Sequence, residues 1–132
     1  MTTFAFHAAC VVCEHPDGEY HLIGFADREY DTEVYLMLQR SFADDEQDVR
    51  LGMDTYHVEW CDQGSSGYGG VSRFVLKTTS AEVQFEPQMA ELLGGIEHLS
   101  ISFDLPAGKH RVLREALQHV FAESKCLEIA DT

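Results

Sequence analysis

Apolar and polar side chains alternate along several short segments of the chain, and a period of two is typical of β-strands. The alternation is clearest in 33–40, where Val34, Leu36 and Leu38 share one face, and in 55–61, where Tyr56, Val58 and Trp60 share one face. The other predicted strands are a hairpin of 3–14 and 19–26, a hairpin of 71–78 and 82–86, and a strand at 96–104. Strands in series with few helices between them favour an antiparallel sheet.

The C-terminal region changes to the period of an amphipathic helix. Its apolar stripe consists of Val112, Leu113, Ala116, Leu117, Val120 and Phe121. A short helix from Pro87 to Leu93 is also predicted, because proline fits the first helical turn and the glycines at 94–95 would end it. Segments 41–54 and 62–70 are predicted to be loops, and the tail from Glu128 is expected to fray.

Together these elements predict an α+β fold, with a mostly antiparallel β-sheet covered by a C-terminal amphipathic helix. A length of 132 residues suits one domain, and we expect a single domain over 1–132. Residues 1–6 carry no Lys or Arg, and no run of about 20 apolar residues occurs, so we expect a cytoplasmic protein. Its four cysteines are then expected to be reduced.

Charge is the most unusual feature of the composition. Nine basic residues stand against 23 acidic ones, which gives a net charge of −14. Segment 27–62 holds eleven acidic and three basic residues, so more than half of the excess lies there. Such a field repels nucleic acids and anionic membranes and attracts basic proteins, so we expect a basic protein partner and neither of the other two. Acidity that serves only solubility is the alternative interpretation.

Several short motifs resemble metal or phosphate sites but lack essential parts. Cys10 and Cys13 are three residues apart in a predicted strand, so their sulfurs point to opposite faces, whereas zinc needs four convergent ligands. Segment 44–48 imitates the start of a calcium loop, but the glycine and the final glutamate of such a loop are missing. The glycine-rich segment 64–70 is not followed by the Lys-Ser/Thr pair of a P-loop. We therefore expect no metal and no cofactor.

His57, Glu59 and Asp62 form a candidate acid–base group. His57 and Glu59 share one face of a predicted strand, and Asp62 follows that strand. Catalysis would require a cleft that brings these groups together and shifts a pKa, and the sequence shows neither. We therefore expect that the protein is not an enzyme and has no catalytic residues.

Aromatic residues flank the acidic segment. Tyr56, Trp60 and Tyr68 lie close to it in sequence, and aromatic anchors beside carboxylates are typical of protein interfaces. Trp60 shares a face with Val58, so it also fits a core position. We predict that Tyr68 is the exposed aromatic residue.

The run from Tyr56 to Gly70 resembles the signature of the immunity protein 10 family. In that family a strand ending in an acid-x-x-Asp-Gln pattern precedes a loop similar to Ser-Gly-Tyr-Gly-Gly. The matching positions are Tyr56, Glu59, Asp62, Gln63, Tyr68 and Gly70. Segment 35–40 is similar to the preceding strand of the family, and a β-rich first part with a helical C-terminus matches nearly the whole chain.

The resemblance implies an immunity protein of a bacterial polymorphic toxin system, which binds and neutralises a cognate toxin domain in the cytoplasm. An acidic surface would suit a basic toxin such as a nuclease. The residues predicted to bind it are Asp44, Asp45, Glu46, Asp48, Asp54, Tyr56, Glu59, Asp62, Gln63 and Tyr68. Two alternatives stay open: a structural or regulatory module that forms a homodimer, and a small enzyme that uses His57, Glu59 or Asp62.

Overall fold

The structure is a computed structural model that describes residues 3–14, 20–41, 55–122 and 124–130. Within these ranges the strands are β1 (Thr3–His7), β2 (Cys10–Glu14), β3 (Tyr20–Ala26), β4 (Tyr35–Ser41), β5 (His57–Trp60), β6 (Asp62–Tyr68), β7 (Val71–Leu76), β8 (Ser80–Phe85), β9 (His98–Ser102) and β10 (Leu127–Ile129). The helices there are α1 (Pro87–Leu92) and α2 (Ala107–Val120). The predicted α+β class is confirmed. Neither helix of this described part has the length and apolar character needed to cross a bilayer.

The strands form two five-stranded sheets where the sequence pattern indicated one. Sheet A has the order β1-β9-β8-β7-β10, and sheet B has the order β2-β3-β4-β5-β6. Sheet B is antiparallel throughout. Sheet A is antiparallel in its centre, but its two outermost strands pair in parallel, β1 with β9 and β10 with β7. The prediction of mostly antiparallel pairing is confirmed.

The predicted first strand, 3–14, is divided between the two sheets. β1 belongs to sheet A and β2 to sheet B, with the buried Ala8 at the crossing. The backbone N–H of Ala8 still donates to the carbonyl of Ser102 at 2.7 Å, so the chain leaves sheet A only after that residue. The sequence does not show where the chain passes from sheet A to sheet B, because both halves of this apolar segment have side chains packed against the same core.

The core lies between the inner faces of the two sheets. Sheet B contributes the alternating residues Ile23, Phe25, Leu36, Leu38, Val58 and Trp60, which confirms the predicted inward faces of 33–40 and 55–61. Across the interface, the ring of Phe25 lies 6.4 Å from that of Phe74 and 6.2 Å from that of Phe103. Trp60 is buried and meets Phe4 of β1 edge to face at 5.4 Å. These aromatic contacts tie sheet B to sheet A.

Helix α2 packs against β2, β3 and β4 of sheet B and against β10 of sheet A. Its buried residues are Leu113, Ala116, Leu117 and Val120, as the helical period predicts. The inclusion of Val112 in this stripe is wrong, because its side chain is 52% exposed. Successive residues of an α-helix are rotated by about 100° around the helix axis, so Val112 lies on a different side of the helix from Leu113 and Leu117. Arg40 is buried beneath the helix end and donates to the carbonyl of Val120 at 3.3 Å.

Two segments that were predicted to lack regular structure are strands. β6 occupies most of the predicted loop 62–70 and pairs with β5, and β10 pairs with β7 in the tail that was expected to fray. Glycine and serine are poor strand formers, so the sequence of β6 hides a strand that pairing with β5 stabilises. The predicted short helix is confirmed as α1, which begins at Pro87 and is followed by Gly94 at a φ of 83°.

Candidate functional site

The side of sheet B that points away from the core is partly open to solvent, and we call it the outer face. Strand registers place on it Cys10, Val12, Glu14, Leu22, Gly24, Ala26, Tyr35, Met37, Gln39, His57, Glu59, Ser66 and Tyr68. One cross-strand row runs from Val12 through Gly24 and Met37 to Glu59. The outer face therefore joins an apolar region on β2–β4 to polar residues on β5 and β6.

A depression of about 370 Å³ lies on the outer face. Its lining residues are Cys10, Val12, Gly24, Phe25, Ala26, Thr32, Tyr35, Met37 and Glu59, most of which are small or apolar. Gly24 leaves space in the depression that a larger residue would fill, because a Cβ added there would lie 2.9 Å from the Cγ2 atom of Val12. The depression has the volume and the mostly apolar walls that are typical of a binding site.

Glu59 and Tyr35 form a hydrogen-bonded pair in this depression. Glu59 is only 8% exposed, and its Oε2 atom accepts a hydrogen bond from the phenol of Tyr35 at 2.5 Å. A distance this short is typical of a hydroxyl that donates to a carboxylate. Burial and the neighbouring Glu59 carboxylate raise the pKa of Tyr35 well above its ordinary value, so the phenol stays protonated as a donor.

His57 and Tyr68 occupy the next cross-strand row of the outer face. Their rings meet edge to face, with centroids 4.9 Å apart. Tyr68 is 43% exposed, which confirms that it is an accessible aromatic residue. The shared face of His57 and Glu59 is also as predicted, but His57 contacts Tyr68 and is not among the described residues that line the depression.

Asp62 and Gln63 lie at the exposed beginning of β6. The preceding residue, Cys61, has a φ of 60°, and this turn directs the chain back along β5. One oxygen of Asp62 accepts a hydrogen bond from the backbone N–H of Gly64 at 3.0 Å, which fixes the carboxylate at the surface. These two residues therefore have side chains that a partner can reach.

Tyr56 lies in the core, in contrast to the exposed Asp62, Gln63 and Tyr68 of the predicted binding set. Its side chain is 3% exposed, and its hydroxyl accepts a hydrogen bond from the backbone N–H of Val71 at 2.9 Å. Its ring meets that of Phe121 edge to face at 4.8 Å. Burial raises the pKa of Tyr56 to about 12. Tyr56 thus has almost no surface to offer a partner and instead holds the first residue of β7.

The glycines of the family-like motif have structural positions. A Cβ added at Gly70 would lie 2.5 Å from the Cβ atom of Met89, and one added at Gly67 would lie 2.9 Å from the Cδ1 atom of Leu92. Gly70 also has a φ of 85°, which favours glycine. These glycines therefore allow α1 to pack closely against β6 and the turn that follows it.

Half of the predicted binding residues, Asp44, Asp45, Glu46, Asp48 and Asp54, lie outside the described residues. Among the described acids of segment 27–62, Asp27 is a structural residue that accepts hydrogen bonds from the N–H groups of Glu33 and Val34, both at 3.2 Å. Burial acts to raise the pKa of Asp27, but these two donors and the Arg28 guanidinium outweigh it and hold the pKa below its ordinary value. Glu29, Asp31 and Asp62 are exposed.

The two cysteines of the Cys-x-x-Cys segment face opposite sides of sheet B. Cys10 pairs with Ala26 on the outer face, and Cys13 pairs with Ile23 on the inner face. Burial raises the pKa of Cys13 to about 11, as expected for a thiol in apolar surroundings. Among the described residues, no group of three or more His, Cys, Asp or Glu side chains converges as a metal site would require.

The sequence interpretation missed the apolar half of the outer face. Tyr35 and Met37 alternate with the core residues of β4, and neither is among the residues predicted to bind a partner. Two large side chains with apolar surface at successive outward positions of a strand were the available signal, since a solvated face usually carries polar residues.

The chain matches a known protein family. The model of a family described as Immunity protein 10 matches residues 7–111, which is well over half of the chain. The matched region includes sheet B, all of the outer face and the glycine motif. No curated protein matches the chain.

Proposed function

The chain belongs to the immunity protein 10 family, and from this membership we propose that it binds a cognate toxin domain and neutralises it. The complex forms in the cytoplasm of the bacterium that makes both proteins, and it protects that cell. Inhibition by binding needs no catalytic group on the inhibitor, so the protein acts without catalysis of its own.

The observation that carries this proposal is the outer face of sheet B. It combines a mostly apolar depression with the exposed Tyr68 and with carboxylates at Glu59 and Asp62. Apolar and aromatic residues at the centre, with polar residues around them, are the usual anatomy of a protein interface. A tight complex would bury roughly 800 Å² on this side, which an exposed face of a five-stranded sheet can supply.

The corresponding face of sheet A is much more polar and its side chains bind one another. Glu82 accepts a hydrogen bond from the hydroxyl of Ser100 at 3.0 Å, and the Nε2 atom of His98 lies 3.0 Å from the second carboxylate oxygen. Glu82, Ser100 and His98 form a polar group on this face, unlike the mostly apolar depression on the outer face of sheet B. This contrast favours the outer face of sheet B as the docking surface.

Within the proposed interface, Glu59, Asp62, Gln63 and Tyr68 are contact residues, and Tyr56 supports them from the core. The segment that joins β4 to β5 contains the acids Asp44, Asp45, Glu46, Asp48 and Asp54. Both of these strands contribute residues to the outer face. A net charge of −14 would attract a basic toxin domain and accelerate its encounter with these residues.

Co-expression with the toxin tests the proposal. The probe is the C-terminal domain of the protein encoded by the neighbouring gene, which we expect to be basic, expressed in bacteria with and without this protein. We expect growth only when both are present, and we expect the purified proteins to elute as one complex. Equal killing in both cultures, or separate elution at micromolar concentration, would refute the proposed function.

A charge-neutralising variant tests the contribution of the acidic segment. The variant replaces Asp44, Asp45, Glu46 and Asp48 by Asn or Gln, and its matched control replaces Glu86, Glu91, Asp104 and Glu115. Both lose four negative charges, so a difference between them reports position and not net charge. We expect the first variant to associate more slowly at low salt and to show a weaker salt dependence. Equal association rates would remove the acidic segment from the interface.

A further inference from the structure

The Glu59 side chain is largely buried at one wall of the depression. It is 92% buried, since only 8% of the residue is exposed, and it lies in a depression whose other walls are mostly apolar. In the part of the chain that the structure describes, Tyr35 supplies its one side-chain hydrogen bond. A carboxylate has about four acceptor positions, so a charged group in this setting retains capacity for further donors.

Among the described residues, the cross-strand row of Glu59 contains no Lys or Arg. In its cross-strand row, Met37 lies on one side and Ser66 on the other, and the hydroxyl of Ser66 donates to the carbonyl of Gln63. The described salt bridges of the chain involve other carboxylates. Within the described residues no Lys, Arg or His forms a salt bridge with Glu59, so a cationic group of a partner can pair with this carboxylate.

The shape and the walls of the depression select for a long side chain with a weakly hydrated charge. About 370 Å³ accommodates a single extended side chain, and Val12, Gly24 and Met37 offer an apolar path along the row that leads to Glu59. An arginine has an apolar stem and a planar guanidinium that is less strongly hydrated than an ammonium, so it loses less on entering such walls. The Tyr35 ring can also stack on a guanidinium plane.

We infer that the depression is a socket for one arginine side chain of the toxin domain, with Glu59 as its counter-charge. Tyr35 is a positioning residue, because its hydrogen bond holds one carboxylate oxygen and leaves the other for the guanidinium. This inference rests on the proposed function and makes it specific: it assigns the recognised chemical group, the residue that pairs with it and the strand row along which it enters. Charge complementarity supports it, since a protein of net charge −14 suits a basic partner.

The main experiment compares Glu59→Gln with Glu115→Gln in binding to the toxin domain encoded beside the gene. Glu115 is an exposed residue of α2, so the control makes the same change of charge away from the outer face. We expect Glu59→Gln to raise the dissociation constant about 30-fold or more, mainly through faster dissociation, as for truncation of a buried charge pair. We expect less than about a threefold change for the control.

The thermal midpoint of each free variant separates a binding role from a structural one. The side-chain oxygen of a glutamine at position 59 can still accept the hydrogen bond of the Tyr35 hydroxyl, so Glu59→Gln should unfold close to the wild-type temperature. If the variant instead unfolded well below the wild type and lost binding in proportion, Glu59 would be a structural residue and the inference would be wrong.

A second variant places a competing positive charge in the depression. Met37→Lys places an ammonium beside Glu59, and we expect it to weaken toxin binding by at least as much as Glu59→Gln. The arginines of the toxin domain are then replaced by alanine one at a time. We expect one of these changes to weaken binding to the wild-type protein but not to weaken binding to the Glu59→Gln variant any further. If the depression instead binds an uncharged side chain, each arginine-to-alanine change would weaken binding by the same factor in the wild type and in the Glu59→Gln variant. That result would overturn the inference.

The outcomes separate the two proposals. A wild-type protein that fails to bind the toxin domain refutes the proposed function and the socket with it. A wild-type protein that binds, while Glu59→Gln binds as tightly as the Glu115→Gln control, refutes the socket alone.

Discussion

Replacing Gly70 by alanine is expected to cost about 2–5 kcal/mol of folding stability. Gly70 has a φ of 85°, a left-handed conformation that costs an L-residue about 1–2 kcal/mol. The new Cβ would also lie 2.5 Å from the Cβ atom of Met89 in α1. A Cβ atom cannot turn aside as the tip of a flexible side chain can, so either α1 or the strand has to move. Overpacking of this kind costs about 1–3 kcal/mol more.

Two other glycines separate the two contributions. Gly94 has a φ of 83° and nothing within 4 Å of an added Cβ, so Gly94→Ala should cost only the conformational part, about 1–2 kcal/mol. Gly108 lies in α2 with open space around it, so Gly108→Ala should be neutral or stabilise by up to about 1 kcal/mol.

The free energy of unfolding of all three variants is measured by urea denaturation. The signal is the fluorescence of Trp60, the one tryptophan of the chain. The expected order of stability is Gly108→Ala, then Gly94→Ala, then Gly70→Ala. If Gly70→Ala were no less stable than Gly94→Ala, the close contact with Met89 would contribute nothing and the reasoning would be refuted. The family-like glycine motif would then need an explanation other than the packing of α1.

Two further predictions concern buried and hydrogen-bonded polar groups. Tyr56→Phe leaves the backbone N–H of Val71 without its acceptor, so we expect a loss of about 1–3 kcal/mol in urea denaturation, and a variant as stable as the wild type would contradict this. The pKa of Asp27 is lowered on folding, so its contribution to stability is present above the unfolded pKa and is lost as pH falls through the folded pKa. The stability difference between wild type and Asp27→Asn should therefore shrink below about pH 4, and a difference independent of pH would argue against it.

Local patterns were sufficient where one face of an element is buried and the other is not. The alternation through Leu36 and Leu38 predicted β4 and its inward side chains, and the stripe through Leu113 and Leu117 predicted α2. In these elements the period of the apolar residues follows directly from the geometry of the backbone, so no knowledge of the partner element is needed.

The candidate site was predictable only in part. The family-like motif pointed to Glu59, Asp62, Gln63 and Tyr68, and the structure places all four at or near the outer face. It also pointed to Tyr56, which lies in the core at 3% exposure. A motif records which residues occur together, and it does not distinguish a contact from the residue that supports it.

By itself, the sequence determined the α+β class, most of the described strands, the two described helices and a net charge that suits a basic partner. Only the tertiary structure decided that the first apolar run is shared between two sheets, that the glycine-rich segment is the strand β6, and that Tyr35 meets Glu59 in a depression. The physical reason is distance along the chain. The period of side chains is a local property, whereas β6 is stabilised by its pairing with β5, and the Tyr35–Glu59 pair joins residues 24 positions apart through the register of two strands.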